Sequence, residues 1–234
     1  MLFSSAKNRP FYQLFQKYDQ LLIFDTETTG LHPSQDQIIE FAAVSVDKKG
    51  KIQTYDELIQ LDEGTSIPPE ITALTGITNE AVAERGISKT LLLCRIFDWL
   101  VPNTLLIAYN AQFDLCFLYY LLQPENMTCM LRGKDKLDLL TVYKDRRSYP
   151  HKLKNAIEAY GLSDKVVNSH RAVDDVLATL EVMKAMEAER NDLLNYVNLF
   201  GYNPKYGPPR HPQHYIQAPA LQFHQTPLRG LTYL

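Results

Sequence analysis

Two carboxylates one residue apart close the apolar run Leu21-Leu22-Ile23-Phe24-Asp25-Thr26-Glu27, and Thr28-Thr29-Gly30 turns the chain directly after them. A short apolar run bounded by a turn reads as a buried strand, and its period of two sets Asp25 and Glu27 on one face and Thr26 on the other. Two like charges beside a core are costly unless a cation lies between them, and a divalent metal held by oxygen ligands is the natural candidate. The plainer alternative is a strand end carrying solvated acids. Two further acids stand out. Asp114, in Tyr109-Asn110-Ala111-Gln112-Phe113-Asp114, falls in the first turn of a helix that leaves a strand. Asp175, in His170-Arg171-Ala172-Val173-Asp174-Asp175, falls in the early turns of another helix. Taken singly, each is explained by the dipole of a helix N-terminus, worth about 0.3–1 kcal/mol.

The elements that must position these residues follow from the pattern. Residues 1–20 form a lead-in with Phe11, Leu14, Phe15 and Tyr18 at helical spacing. Strands are expected at about 21–27, 37–46 and 51–59, the last two joined by a hairpin turn at Asp47-Lys48-Lys49-Gly50, so an antiparallel meander opens the fold. Pro at one end and Gly76 at the other bound a short helix at 68–74, and Thr78 caps a second, with Glu80 and Glu84 in its early turns. Leu91 to Leu100 is apolar all round and reads as a mostly buried helix. A strand at 104–109 leads into a helix from Asn110 to Leu122. Leu137 to Tyr143 is a strand-to-helix transition, Lys152 to Tyr160 is a helix stopped by Gly161, and His170 to Arg190 is the last long helix. A meander followed by strand–helix alternation gives an α/β fold: a mixed sheet with helices on its faces.

The order Asp-x-Glu at a strand end, then Asn-x-x-Phe-Asp, then His-x-Ala-x-x-Asp resembles the DEDDh, or DnaQ-like, family of 3′–5′ exonucleases, the group that includes the proofreading epsilon subunit of bacterial DNA polymerase III. The resemblance covers about Leu21 to Met186, including Ile67-Pro68, Thr75-Gly76-Ile77-Thr78 and Lys152-Leu153. It implies a ribonuclease-H-like fold: the three-strand meander plus parallel strands. It implies that Asp25, Glu27, Asp114 and Asp175 hold two divalent ions, Mg²⁺ or Mn²⁺, with His170 as general base. Asp25 would be the shared ligand and Glu27 would serve the ion that organises the attacking water. Arg171 occupies the position that is Tyr in the other branch of the superfamily, which sorts the chain to the histidine branch. The motif selects Asp175 over Asp174, which lies about 100° around the helix. Thr28, Thr29 and Gly30 would seat the 3′ nucleotide, Leu74 or Phe113 would pack on its base, and Asn110 belongs to the same contact set. Tyr109 departs from the His that many members carry there.

The chemistry accounts for these residue types. Phosphodiester hydrolysis needs an activated water, charge neutralisation and help for the leaving oxygen, and two hard cations about 3.5–4 Å apart supply all three. Four carboxylates would largely balance them, and a His with a pKa of about 6.5 can take the water's proton near neutral pH.

The formal charge of −3 provides no overall basic field, so a nucleic-acid partner needs a local patch. Arg132, Lys134, Lys136, Lys144, Arg146, Arg147, Lys152 and Lys154, against Asp135, Asp138 and Asp145, offer one. Cys94, Cys116 and Cys129 form no CxxC pair, which argues for a reducing compartment. With no signal peptide and no apolar run of membrane length, a cytoplasmic location and no membrane partner are expected. Domains are expected at 1–20 (lead-in), 21–190 (exonuclease) and 191–234, a Pro-, Tyr- and His-containing extension that could dock a polymerase or other protein.

The expected activity is removal of nucleoside 5′-monophosphates from single-stranded or frayed 3′ ends, with DNA favoured on resemblance. An RNA-trimming enzyme of the same family is the alternative, since no motif reports on the 2′-hydroxyl. A polymerase-associated binding domain with little activity is a further rival. An Asp-nucleophile phosphatase fits worse, because Glu27 stands where it needs Asp and it leaves Asp114 and His170 idle.

Overall fold

The computed structural model describes residues 9–199. Its sheet has five strands: β1 (Gln20–Thr28), β2 (Ile38–Asp47), β3 (Ile52–Leu58), β4 (Thr104–Ala108) and β5 (Asp135–Asp138), in spatial order β3-β2-β1-β4-β5. The β1–β2 and β2–β3 pairs are antiparallel, and the β1–β4 and β4–β5 pairs are parallel. The expected meander and mixed sheet are present. β1 is the central strand, which explains why Leu21 to Phe24 is apolar without alternation: both faces are covered.

Alternate residues of β1 feed two cores. Leu21 and Ile23, with Ala42, Val44, Leu105 and Ile107, pack against the long C-terminal helix α9 (Ala172–Glu189) through Val176, Leu180 and Met183. Leu22 and Phe24, with Phe41, Ala43 and Leu106, pack on the opposite side against α4 (Lys89–Trp99) and α5 (Ala111–Leu122). Trp99 stacks on Phe41 at 5.6 Å between centroids and lies 4.2 Å from Tyr55, pinning α4 to the meander. Phe11 and Leu14 around α1 (Tyr12–Lys17) are buried in the first core, and the Phe11 amide donates to Glu187 of α9 at 2.5 Å.

Two short helices, α2 (Pro69–Thr75) and α3 (Asn79–Arg85), cover a small third cluster of Ile39, Leu58, Ile67, Ile77 and Val82. Their punctuation is as expected: Gly76 ends α2 at φ 71, and the Thr78 hydroxyl accepts from the Ala81 amide at 3.2 Å. Helix α6 (Cys129–Arg132) follows α5, α7 (Leu139–Arg146) follows β5, and α8 (Leu153–Ala159) precedes α9.

Three expectations are corrected. Helix α4 begins two residues before Leu91, capped by Ser88, and its outer side is open: Leu91 and Phe97 are exposed, because this helix lies on the surface with one stripe inward. The last helix begins at Ala172, not His170, whose φ of 58 is incompatible with helix. The basic stretch is not a continuous patch. Arg146 is fully buried and donates to the carbonyls of Met186 and Arg190 and to Asp192, while Arg147 pairs with Glu189 at 2.7 Å. Lys134 is bound to the Val101 carbonyl at 2.6 Å and Lys136 is 1% exposed, whereas Lys152 and Lys154 are open to solvent.

The start of the C-terminal extension is packed. Leu193 and Tyr196, in a 3-10 turn, join the first core, and Asn198 seals the edge of β5 by donating its amide to the Lys136 carbonyl at 2.7 Å. The rest of the extension and the first residues of the lead-in lie outside the described residues. Among the described residues no helix is long and apolar enough to cross a membrane.

Candidate active site

The β1–β4 ladder ends at Ile23 and Ile107, so β1 runs on past its parallel neighbour. The Thr26 amide is left without a strand partner there. Asp114, in the first turn of α5, takes it: its Oδ1 accepts from Thr26 N at 2.9 Å and from Thr26 Oγ1 at 2.8 Å. Thr26 faces the α5 side, as the period of two requires, while Asp25 and Glu27 continue the line of Leu21 and Ile23 toward α9. The first turn of α9 supplies Asp175, which is buried and accepts from Asn168 Nδ2 at 2.6 Å. Asp174 points elsewhere and takes the Ser169 hydroxyl at 2.5 Å. Helices from opposite faces thus deliver one carboxylate each to the end of a single strand, both from N-terminal turns whose dipoles favour negative charge.

His170 joins from the loop before α9. One ligand atom each of Glu27, His170 and Asp175 lies within 4.8 Å of the others. Glu27 is partly buried, Asp175 buried and His170 exposed, so the imidazole stands at the mouth of the site.

The electrostatics of the site favour a cation. Burial first, then the charges of Asp114, Asp175, Glu27 and Glu40, push Asp25 well above the usual carboxylate range. Glu27 is raised to about 8 by burial and by Asp175, Glu40 and Asp114, with Arg171 easing the shift. Burial raises Asp114 to about 7 despite the Thr26 hydrogen bonds, and Asp175 to about 6 despite Asn168 and His170. Four carboxylates that repel one another out of water need positive charge. The nearby guanidinium, Arg171, is bound to Glu40. An all-oxygen donor set of this charge fits hard divalent cations.

The residues expected to seat a nucleotide are more dispersed in role. The Thr28 hydroxyl is bonded to the Gly30 carbonyl at 2.6 Å, and Thr29 Oγ1 accepts from Gln37 N at 3.0 Å. Both threonines therefore hold their own turn together. Gly30 faces Asp36 so closely that a Cβ would meet its carboxylate at 2.5 Å. Leu74 on α2 is 49% exposed. Phe113 packs on Phe117 at 4.9 Å, and Asn110 begins α5 in the left-handed region at φ 71.

Sequence reasoning missed Glu40, Arg171, Asn168 and the hydroxyl of Thr26 as parts of this site. Glu40 had a signal: it is the one charged residue in the run Ile38 to Val46, and a charge at such a position must be paired.

A family model described as exonuclease (RNase_T) matches residues 22–183. The chain is 32% identical over 174 residues to the DNA polymerase III subunit epsilon of Treponema pallidum, covering 70% of this chain and 75% of that protein. It is 31% identical over 190 residues to the PolC-type DNA polymerase III of Clostridium perfringens, covering 80% of this chain and 12% of that much longer one. In fold it is similar to Escherichia coli exonuclease I, crystallised with a dA16 oligonucleotide, at a TM-score of 0.65 and 22% identity over 76% of this chain and 42% of that one. It is also similar to cell-death related nuclease 4, at a TM-score of 0.62 and 18% identity over 74% and 65% of the two chains. These are ribonuclease-H-like architectures, and the chain belongs to the DEDDh, DnaQ-like exonuclease family.

Proposed function

We propose that the protein is a metal-dependent 3′–5′ exonuclease that releases nucleoside 5′-monophosphates from single-stranded or frayed DNA 3′ ends. The observation that carries this reading is the convergence of Asp25, Glu27, Asp114 and Asp175 at the end of β1, each raised above the usual carboxylate range chiefly by burial, with His170 at the rim. The epsilon relative and the oligonucleotide complexes of exonuclease I support the choice of DNA.

Two divalent ions, Mg²⁺ or Mn²⁺, held by the four carboxylates, would neutralise the phosphate and make a bound water acidic. The chain's own residues do the rest. His170, exposed and within reach of Glu27 and Asp175, takes the proton of the attacking water and passes it to solvent. Asp175, steadied by Asn168, balances the imidazolium that forms. Asp114 is fixed by its two bonds from Thr26, so its carboxylate does not swing when charge changes around it. The turn over Thr28, Thr29 and Gly30 borders the 3′ nucleotide, with Leu74 and Phe113 against its base and Asn110 beside them. Lys152 and Lys154 contact the phosphates behind it. The C-terminal extension is the segment we assign to docking a polymerase or other protein; the epsilon relative is by name a polymerase subunit.

The test is incubation of the purified protein with Mg²⁺ or Mn²⁺ and 5′-labelled single-stranded DNA, duplex DNA and RNA. A ladder shortened from the 3′ end is expected, lost with a blocked 3′ end and slowed to a small residual rate with Asp175→Ala or His170→Ala, and DNA should be trimmed faster than RNA. Faster trimming of RNA would move the assignment to the exoribonuclease alternative. Internal cutting, or no cleavage by folded protein, would refute it.

A further inference from the structure

Glu40 is the third residue of β2, wholly buried and opposite Glu27 in the β1–β2 ladder. Two acids facing each other across a ladder are unfavourable, and a buried carboxylate persists only where it is fully bonded. The bonds of Glu40 converge on the two residues that follow His170. Its Oε1 accepts from Arg171 Nε at 2.9 Å and from Arg171 Nη2, and its Oε2 accepts from the Ala172 amide at 2.7 Å. Helix α9 has no side-chain cap of its own, so a carboxylate from a distant strand serves as one.

His170 itself is held in the left-handed region, at φ 58. A histidine stays there only when its surroundings over-determine it. On one flank Ser169 is tied to Asp174, and on the other Arg171 and Ala172 are tied to Glu40. Both oxygens of Glu40 are engaged, which separates it from the four carboxylates of the site.

We propose that Glu40 is a positioning residue for His170: the buried carboxylate clamps Arg171 and Ala172 to β2 and so holds the imidazole over Glu27 and Asp175. This rests on the exonuclease reading above for its rate consequence, though not for its geometry.

Glu40→Gln keeps the shape and turns part of the acceptor into a donor facing donors. The expected result is a kcat for terminal-nucleotide release about 10–100-fold lower with KM unchanged. In a His170→Ala background the same substitution should add less than about a twofold loss, because the group it positions is gone. An equal loss in both backgrounds, or wild-type kcat in Glu40→Gln, overturns the proposal. If Glu40→Gln does not fold, Arg171→Lys removes the guanidinium fork and keeps the cation. It should show the same non-additivity with a smaller loss, and additivity there is equally fatal. The His170 ring resonances in NMR spectra of the full chain provide a readout independent of activity. They should shift in the Glu40 or Arg171 variant, and unshifted resonances overturn the proposal. A wild-type protein that trims nothing refutes the functional reading instead, and leaves the NMR arm to decide the geometry.

Discussion

At the scale of single residues, the candidate site is built from carboxylates whose hydrogen-bond partners differ, and those partners set how each is held. Asp114 owes its fixed orientation to Thr26, which donates both amide and hydroxyl to one oxygen. Thr26→Val keeps the shape and the amide bond but removes the hydroxyl. Asp114 should then rise further above its already raised pKa, since a bond to the ionised form is lost while burial stays. The expected outcome is a stability loss of about 1 kcal/mol and an activity loss of about tenfold. The activity loss should be partly recovered at higher pH or higher metal concentration. Urea unfolding and a metal titration of the rate check the two parts separately.

At the scale of elements, α7 and α9 are locked by charges that the chain's composition offered for another purpose. Arg146, at the end of α7, reaches the last carbonyls of α9 and the Asp192 carboxylate at 2.5 Å, and its ring neighbour is Tyr196. It caps the C-terminus of the helix whose N-terminus presents Asp175. Removing one partner of a buried pair costs about 3–5 kcal/mol, so Arg146→Ala should lower the urea midpoint sharply. It should leave the salt dependence of oligonucleotide binding unchanged. Exposed Lys152 and Lys154 should behave in the opposite way, with alanine at either one reducing the salt slope by about one and stability hardly at all.

At the scale of the whole molecule, the raised carboxylates are a stability liability that a bound cation would relieve. Asp175, Asp114 and Glu27 are raised from usual values of 3.8, 3.8 and 4.5 to about 6, 7 and 8. Between the unfolded and folded values the native state holds protons that the unfolded chain has released. The metal-free protein is therefore most stable below about pH 4 with respect to these groups and loses stability as pH rises toward 8. Glu27→Gln should abolish trimming yet raise the metal-free melting temperature at pH 8, by about 2–4 °C for each kcal/mol of repulsion relieved in a chain of this size. Mn²⁺ should stabilise the wild-type protein, more at pH 8 than at pH 6 because ligand deprotonation no longer opposes binding. Thermal scans with and without metal test both, and a metal-free midpoint that climbs from pH 5 to pH 8 would contradict the assignment.

The sequence by itself determined the central strand, the meander and the helices after it, because apolar period, Gly76 and Thr78 are local signals that the chain obeys locally. The order of Asp25, Glu27, Asp114, His170 and Asp175 is also written in the sequence, and the family motif there proposes Asp175 over Asp174. Only the tertiary structure decided what lies between them. That Thr26 meets Asp114 depends on β4 pairing no further than Ile23, a matter of register. That Arg146 is a helix lock rather than a phosphate contact depends on where α7 crosses α9. That Glu40 holds the segment after His170 joins residues more than a hundred positions apart. Charges report only that they need partners, and which partner each one finds is settled by packing.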